Sequence, residues 1–567
     1  MKTVIIGGVA GGASAAARLR RLDEDAEITV IERTGYVSYA NCGLPYYVGG
    51  TITERDDLTL QTPESFRDRF NIDVRVHSEA ESIDRTNRSV HVRDLETGME
   101  YDEPYDKLIL SPGAKPLMPK FGPVDDPRVM TLRTVEDCLA LHEMARRPGV
   151  RTVAVAGGGY IGLETAENLV DLGLNVILLQ RSNQVMPPVD YEIAAEIHDH
   201  IRSKGIDFRP GSSVSGIDTG EQLKVELADG REVPADLVVI ALGVTPDSHL
   251  ARDAGLELGV KGTIAVDDHM LTSDPDIYAV GDAVQVRNSV SGEPSFIALA
   301  GPANKQGRIA ADNICGIPST YKGTQGSSII KIFDMTVGFT GLSEKAAKAA
   351  GMEVDKVFTY SQSHATYYPG HEGMSVKTVF DPKDGRILGV QIIGYDGVDK
   401  RVDVMAVAIR AGMTAQDLAD LDLAYAPPYS SAKDPVNMAG FVITNIMAGR
   451  VRQVQWTDVP AIMEAPEVVI LDTRTDEEFE EYHFPDCVHI PVDELRGRLS
   501  ELDRSRRYCV VCHTGLRSYI ACRMMTQHGF DCFNLSGGMR LYRAVVCGCE
   551  SDPCTLACGL CRGPMRG

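Results

Sequence analysis

A chain of 567 residues exceeds one ordinary domain, and its 43% hydrophobic and 24% charged residues are those of soluble globular protein. The formal charge of −23 argues against nucleic acid or an anionic membrane surface as partner, while a local basic pocket could still take a small anion. No apolar run reaches the roughly 18 residues of a membrane span, and the chain opens on MKTVIIGG without a leader pattern, so a cytoplasmic protein with mostly reduced thiols is expected.

VIIGGVAGGASAAARLRRL predicts a buried strand, a glycine turn and a helix, and EITVIE a second strand ending at Glu32. Gly7 and Gly12 have the spacing of a dinucleotide turn, with Gly8 and Gly11 alongside, but Val9 stands at the middle position. TVAVAGGGYIGLETAENLVDLGLNVILLQR repeats the pattern over residues 152–181 with the full spacing Gly157, Gly159 and Gly162. Such turns bring backbone close to a pyrophosphate at a helix N-terminus, so two nucleotide-binding halves are expected.

Ribose recognition separates the two. Glu32, twenty residues past Gly12, suits hydrogen bonds from ribose hydroxyls. The matching point of the second half has Gln180, Arg181 and Ser182 and no carboxylate. Arg181 can accommodate a 2′-phosphate, so NADPH is expected to serve as well as NADH, or better.

Farther along, VELADGREV predicts a hairpin with a D-G turn and LVVIALG a buried parallel strand. TSDPDIYAVGDAV ends a strand on Gly281 and Asp282. From about residue 326 the texture becomes α+β, and a polar linker is expected after Gly449. VVILDTR then opens a compact α/β unit containing VVCHTGLRSYIACRMM, in which a loop from Cys512 to Arg517 and Ser518 meets a helix. Such a loop aims backbone N–H groups inward, a cradle for a thiolate or persulfide. The tail cysteines Cys547, Cys549, Cys554, Cys558 and Cys561 do not have the paired spacing of common zinc sites, and no metal is assigned.

The two glycine turns, the Gly281-Asp282 motif and ALGVTP at 241–246 are four motifs over about residues 1–449 that resemble the two-dinucleotide flavoprotein disulfide reductases. That resemblance implies FAD on the first turn, its ribityl chain held by Asp282. SYANCGLPY, with the solitary Cys42, is similar to coenzyme A disulfide reductases, as are ATYYPG and AYAPPYSSAKD. The resemblance implies that Tyr367 and Tyr425 reach the partner subunit's active cysteine in a homodimer. It also makes Ser14, Arg18, Arg21, Ser38, Asn41 and Lys433 the candidate coenzyme A contacts, although Phe70 follows Arg69 where the family often has lysine.

Residues 466–545 resemble a single rhodanese domain, with Cys512 and Arg517 at its catalytic loop. Asp472, Arg474 and His483 are expected to frame that fold, and His513 to face solvent. A helix start at Pro45 is expected to stabilise the Cys42 thiolate.

The expected layout has a discontinuous FAD domain over 1–116 and 245–325 and an NAD(P) domain over 117–244. A dimerisation domain over 326–449, a linker over 450–465, the rhodanese unit over 466–545 and a cysteine-rich tail over 546–567 follow. The expected activity is NAD(P)H-driven reduction of coenzyme A disulfide, its persulfide or polysulfide through Cys42, with Cys512 carrying sulfane sulfur. Two alternatives are an NADH oxidase or peroxidase cycling Cys42 through sulfenic acid, and a sulfurtransferase with a redox-sensing flavin half.

Overall fold

A computed structural model describes residues 1–122 and 124–547. They form two compact units, Met1–Val185 with Gly205–Gly326, and Met186–Lys204 with the chain from Ser327 onward. No helix among the described residues is long and apolar enough to cross a membrane.

The first unit contains two parallel five-stranded sheets. One has the order Ile277–Ala279, Lys107–Leu110, Lys2–Ile6, Glu27–Ile31, Asp73–Arg75. The other runs Asp207–Pro210, Asn175–Gln180, Thr152–Ala156, Leu237–Ile240, Val129–Met130. Past their first residues the central strands are apolar because both faces are covered: Val4, Ile5, Val153 and Val155 are fully buried. The D-G turn joins Leu223–Leu227 to Glu232–Ala235 in an antiparallel meander.

In the second unit an antiparallel sheet runs Ser328–Ile332, Met335–Gly341, Ile387–Gly394, Gly373–Phe380, Asp355–Gln362. A parallel sheet runs Gln453–Val454, Asp531–Leu535, Arg507–Val511, Val468–Asp472, Val488–His489.

Two features differ from the sequence reading. The helix Tyr191–Ser203 falls within the span expected for NAD(P), yet it belongs to the second unit. Asp190 and Glu192 lie 3.0 and 2.9 Å from the ammonium of Lys377, which is wholly buried on Gly373–Phe380, and Glu344 completes the cluster at 2.9 Å. A buried lysine needs such partners, and they come from elements far apart in the chain. The second difference is the expected linker over 450–465. Gln453–Val454 is an edge strand paired with Asn534 and Leu535, and Val459–Glu464 is helical. Trp456 donates from Nε1 to Glu192 at 3.0 Å. Two strand residues are too few to show a period, so the segment read as connection.

The last helix, Gly538–Cys547, carries Arg540, whose guanidinium lies 3.5 Å from Glu196 and over the Tyr360 ring. Cys549, Cys554, Cys558 and Cys561 lie outside the described residues.

Candidate active site

Both glycine turns have the same construction. A Cβ on Gly12 would lie 1.8 Å from the Gly7 carbonyl oxygen, and one on Gly162 would lie 1.8 Å from that of Gly157. The first and third glycines are therefore obligatory. The middle position is less constrained: φ is negative at both Val9 and Gly159, and a Cβ on Gly159 would meet nothing within 4 Å. A side chain at this position therefore has room in such a turn.

The residue ending the second strand of each half is wired alike. Glu32 accepts from the Gly8 amide at 2.8 Å and from the Thr34 amide and hydroxyl at 3.0 and 2.9 Å. Gln180 accepts from the Gly158 amide at 2.9 Å and donates to the Ser182 hydroxyl at 2.7 Å. The second half thus keeps the hydrogen bond and loses the charge, with Arg181 exposed beside it. Gln180→Glu is expected to weaken NADPH at least tenfold in kcat/KM against NADH, since a carboxylate repels a 2′-phosphate. Steady-state kinetics with both nucleotides check this.

One cavity of the first unit is lined by Gly7, Gly11, Glu32, Asn41, Arg133 and Asp282. Asp282 lies in the turn Gly281–Ala283, and burial pushes its carboxyl up, with Arg133 at 3.5 Å opposing. The Asn41 side-chain oxygen is buried with no hydrogen-bond partner among the described residues. A glycine turn at a helix start, two carboxylates and an orphaned acceptor fit a polar dinucleotide such as FAD. Asn41 lines this cavity and not the arginine-lined one described next.

Cys42 follows Asn41 in a short turn before the helix Leu44–Gly49, with Pro45 in its first turn. It is exposed, but surrounding protein removes enough water to push its thiol above the ordinary value, and Glu164 and Asp282 add to this against Arg133. The expected lowering by the helix is therefore outweighed by desolvation and two carboxylates. Glu164, on Tyr160–Asp171, is itself pushed up to about 7 by burial and by Glu167. Nothing in the sequence singled it out except two carboxylates three residues apart on one helix. As pH rises through about 7, Glu164 gains the charge that opposes the Cys42 thiolate. Glu164→Gln is therefore expected to speed alkylation of Cys42 by roughly two- to tenfold above that pH, measured with iodoacetamide across a pH series. Cys138 is no partner for Cys42. Its buried thiol donates to the Leu44 carbonyl at 3.2 Å, and burial pushes it up to about 12.

Ser14, Arg18, Arg21 and Ser38 line a second cavity of about 310 Å³. Arg308 and Phe70 line it too, and the sequence reading missed Arg308. Arg18 is paired with Asp312 at 2.7 Å, and the Ser14 hydroxyl donates to Asn304 at 2.7 Å. Three arginines thus line a cavity in a chain of net charge −23, one of them already paired with a carboxylate. Phe70 brings a ring where the resemblance called for a cation, its centroid 5.9 Å from that of Phe66.

In the second unit the hydroxyls of Tyr367 and Tyr425 are 2.5 Å apart, although 58 residues separate them. Both are exposed, at 73% and 46%. Their hydrogen bond raises the Tyr367 phenol. Lys433 lies in the same unit, just before the helix Pro435–Met447.

Cys512 is fully buried, and its sulfur accepts from the Gly515 amide and the Ser518 hydroxyl, both at 3.1 Å. Gly515 takes φ +101°, which turns the loop back over the sulfur. Arg517 makes a two-point pair with Glu478 at 2.7 Å, which holds the Glu478 carboxyl down to about 2 against its partial burial. Glu478 was not foreseen. His513 is half-buried rather than facing solvent, and burial, with Arg540 and Arg517, pushes its imidazole down. Asp472 and Arg474 are a buried pair at 2.7 Å, and His483 stacks on Phe479 at 4.0 Å. These three brace the fold.

The chain matches the pyridine nucleotide-disulphide oxidoreductase family over residues 1–307 and its dimerisation domain over 327–435. It matches a rhodanese-like domain over 456–544, a range that takes in the helix of the expected linker. The coenzyme A disulfide reductase of Staphylococcus haemolyticus is 34% identical over 441 residues, covering 78% of this chain and 98% of that protein. Reduced Bacillus anthracis CoADR-RHD is 45% identical with a TM-score of 0.92, covering 96% and 98% of the two chains. A NAD-dependent persulfide reductase from A. fulgidus is 38% identical with a TM-score of 0.90, covering 95% of this chain and all of that one. This chain therefore belongs to the pyridine nucleotide-disulphide oxidoreductase family, as an FAD- and NAD(P)H-dependent enzyme fused to a rhodanese-like domain.

Proposed function

We propose that the protein reduces sulfane sulfur at Cys42: coenzyme A disulfide, coenzyme A persulfide or polysulfide, with NADPH accepted as well as NADH. The observation that carries this reading is a solitary exposed thiol next to Asn41, which lines the flavin cavity. FAD bound there supplies two-electron transfer from NAD(P)H. The Cys42 thiolate attacks one sulfur of the substrate, forming a mixed disulfide or persulfide and expelling the other sulfur as a thiolate. Two electrons then return Cys42 to thiolate and release the second sulfur. The arginine pocket, with Ser14, Arg18, Arg21 and Ser38, holds the phosphates of a coenzyme A group. Asn41 and, in the second unit, Lys433 are the further candidate contacts of that group.

Tyr367 and Tyr425 give a proton to the departing sulfur. Their exposure supports a homodimer in which they serve the partner's cysteine, and the match to a dimerisation domain supports it too. Cys42, Cys138, Cys315, Cys509 and Cys512 are in no disulfide, which favours a cytoplasmic setting.

In the rhodanese-like domain Cys512 takes up sulfane sulfur. Gly515 and Ser518 donate to its sulfur, and Arg517 closes the loop with its charge. Sulfur collected there feeds reduction at Cys42. Steady-state rates with coenzyme A disulfide, coenzyme A persulfide, inorganic polysulfide and oxygen test the reading. The sulfur substrates are expected to exceed oxygen at least tenfold in kcat/KM. Oxygen as the fastest acceptor, with no coenzyme A copurifying, would make the protein an oxidase. For the link between sites, Cys512→Ser is expected to slow turnover with at least one sulfane donor, and unchanged turnover with every donor defeats the transfer.

A further inference from the structure

The hydroxyls of Tyr367 and Tyr425 meet from two stretches that are neither strand nor helix. Tyr367 lies between the strands Asp355–Gln362 and Gly373–Phe380, and Tyr425 between the helices Ala415–Asp420 and Pro435–Met447. Exposed loops of this kind move unless something ties them down. Here the tie is one buried side chain that the chemistry above does not use.

Arg401, on the helix Val398–Ala411, is 1% exposed. Its Nη2 donates to the Ser363 carbonyl at 2.9 Å, at the start of the first loop. The same nitrogen donates to the Ser430 hydroxyl at 3.1 Å and to the Asp434 carboxylate at 2.9 Å, at the end of the second. Nε adds a bond to Asp434 at 3.2 Å, and Nη1 donates to the Gly397 carbonyl at 3.2 Å. Gly397 takes φ +69°, and a Cβ there would lie 2.3 Å from Nη1, so a side chain would displace the guanidinium. Asp434 in turn caps Pro435–Met447 through the Val436 amide at 3.0 Å and accepts from Ser430 at 2.7 Å. The loops also join directly, the Ala365 amide donating to the Ser430 carbonyl at 3.1 Å.

The distribution of these bonds shows what the arginine does. A buried guanidinium needs one carboxylate to balance its charge, and Asp434 supplies it. The bond to the Ser363 carbonyl adds nothing to that balance; its consequence is to couple the first loop to the second. Only a planar fork of fixed donors can serve both loops at once.

We propose that Arg401 is the positioning residue of the tyrosine pair: one guanidinium fixes both loops and so holds the two hydroxyls at hydrogen-bonding distance. This rests on the proton-donating role given above to Tyr367 and Tyr425. A lysine at position 401 would keep the charge beside Asp434 but could not keep the fork, and the hydroxyls would part.

The test uses the full-length holoenzyme with NADPH and coenzyme A disulfide. Arg401→Lys is expected to lower kcat roughly tenfold or more, while KM for NADPH and the stopped-flow rate of flavin reduction stay within about twofold of wild type. Added to Tyr367→Phe with Tyr425→Phe, Arg401→Lys is expected to cost less than about twofold, because its effect passes through those hydroxyls. Ser430→Ala leaves the Arg401–Asp434 pair in place and decides the matter if Arg401→Lys does not fold. It is expected to lower kcat about threefold, again absorbed in the tyrosine background. Unchanged kcat in the folded variant, or a loss that multiplies in full with that of the tyrosine variant, overturns the positioning role and leaves the tyrosines theirs. Wild-type turnover in Tyr367→Phe with Tyr425→Phe overturns the tyrosine role, and the proposal with it.

Discussion

Cys42→Ser is expected to abolish NAD(P)H-driven cleavage of S–S bonds, by roughly 10³-fold or more in kcat, in a protein that stays yellow. A serine hydroxyl titrates far above any working pH and is a poor nucleophile toward sulfur, so neither the attack nor the mixed disulfide is open to it. The substitution changes one atom in an exposed turn and leaves the cavity lined by Gly7, Glu32 and Asp282 as it is. Cys512 also stays, so thiosulfate–cyanide exchange in the same preparation reports that the chain has folded. Stopped-flow reduction of the flavin by NAD(P)H should persist while turnover with every disulfide and persulfide collapses. Turnover within about tenfold of wild type would remove Cys42 from the mechanism.

The second large effect is expected at Lys377. Burial acts to lower its ammonium, but Glu192, Asp190 and Glu344 override this and raise it. Glu344 shows the converse: burial acts to raise it, and Lys377, with Lys348 and Lys356, holds it down to about 2. A group with a depressed folded-state pKa contributes stability above its unfolded value, near 4.5, and loses that contribution as pH falls toward about 2. Wild type should therefore weaken on acidification through that window. Lys377→Met removes the cation and leaves Asp190, Glu192 and Glu344 crowded with too little positive charge, a cost of about 3–5 kcal/mol. The sign of the pH dependence also changes, because the stranded carboxylates prefer protons: the variant should be more stable at pH 5 than at pH 7. Urea unfolding at both values measures this. A variant as stable as wild type at pH 7 would show that the cluster has no net role.

What could be read from the residues alone was whatever lies close together in the chain or repeats. The spacing of Gly7 and Gly12 against Gly157 and Gly162 requires two like turns, and even the departure at Val9 falls where the like turn leaves room for a Cβ. The cradle around Cys512 was legible for the same reason, since Gly515 and Ser518 are its near neighbours. Residues that act across the fold were not legible. Arg308 joins the arginine-lined cavity, Glu478 clamps Arg517, and Glu164 bears on Cys42 only because distant strands and helices meet. The helix Tyr191–Ser203 was assigned by its place in the chain, while its partners were decided by a lysine nearly two hundred residues later.

That helix has a practical consequence for anyone who would divide the protein. Trp456 and Arg540, both from the rhodanese-like half, close off Glu192 and Glu196, and burial already drives the Glu196 carboxyl up. A truncation before residue 450 would uncover those acids and strip the ring of Tyr360 of its cationic cap. The sulfur-carrying module is thus grafted onto its host by charge as well as by chain, and excising it would wound the flavoenzyme instead of liberating it.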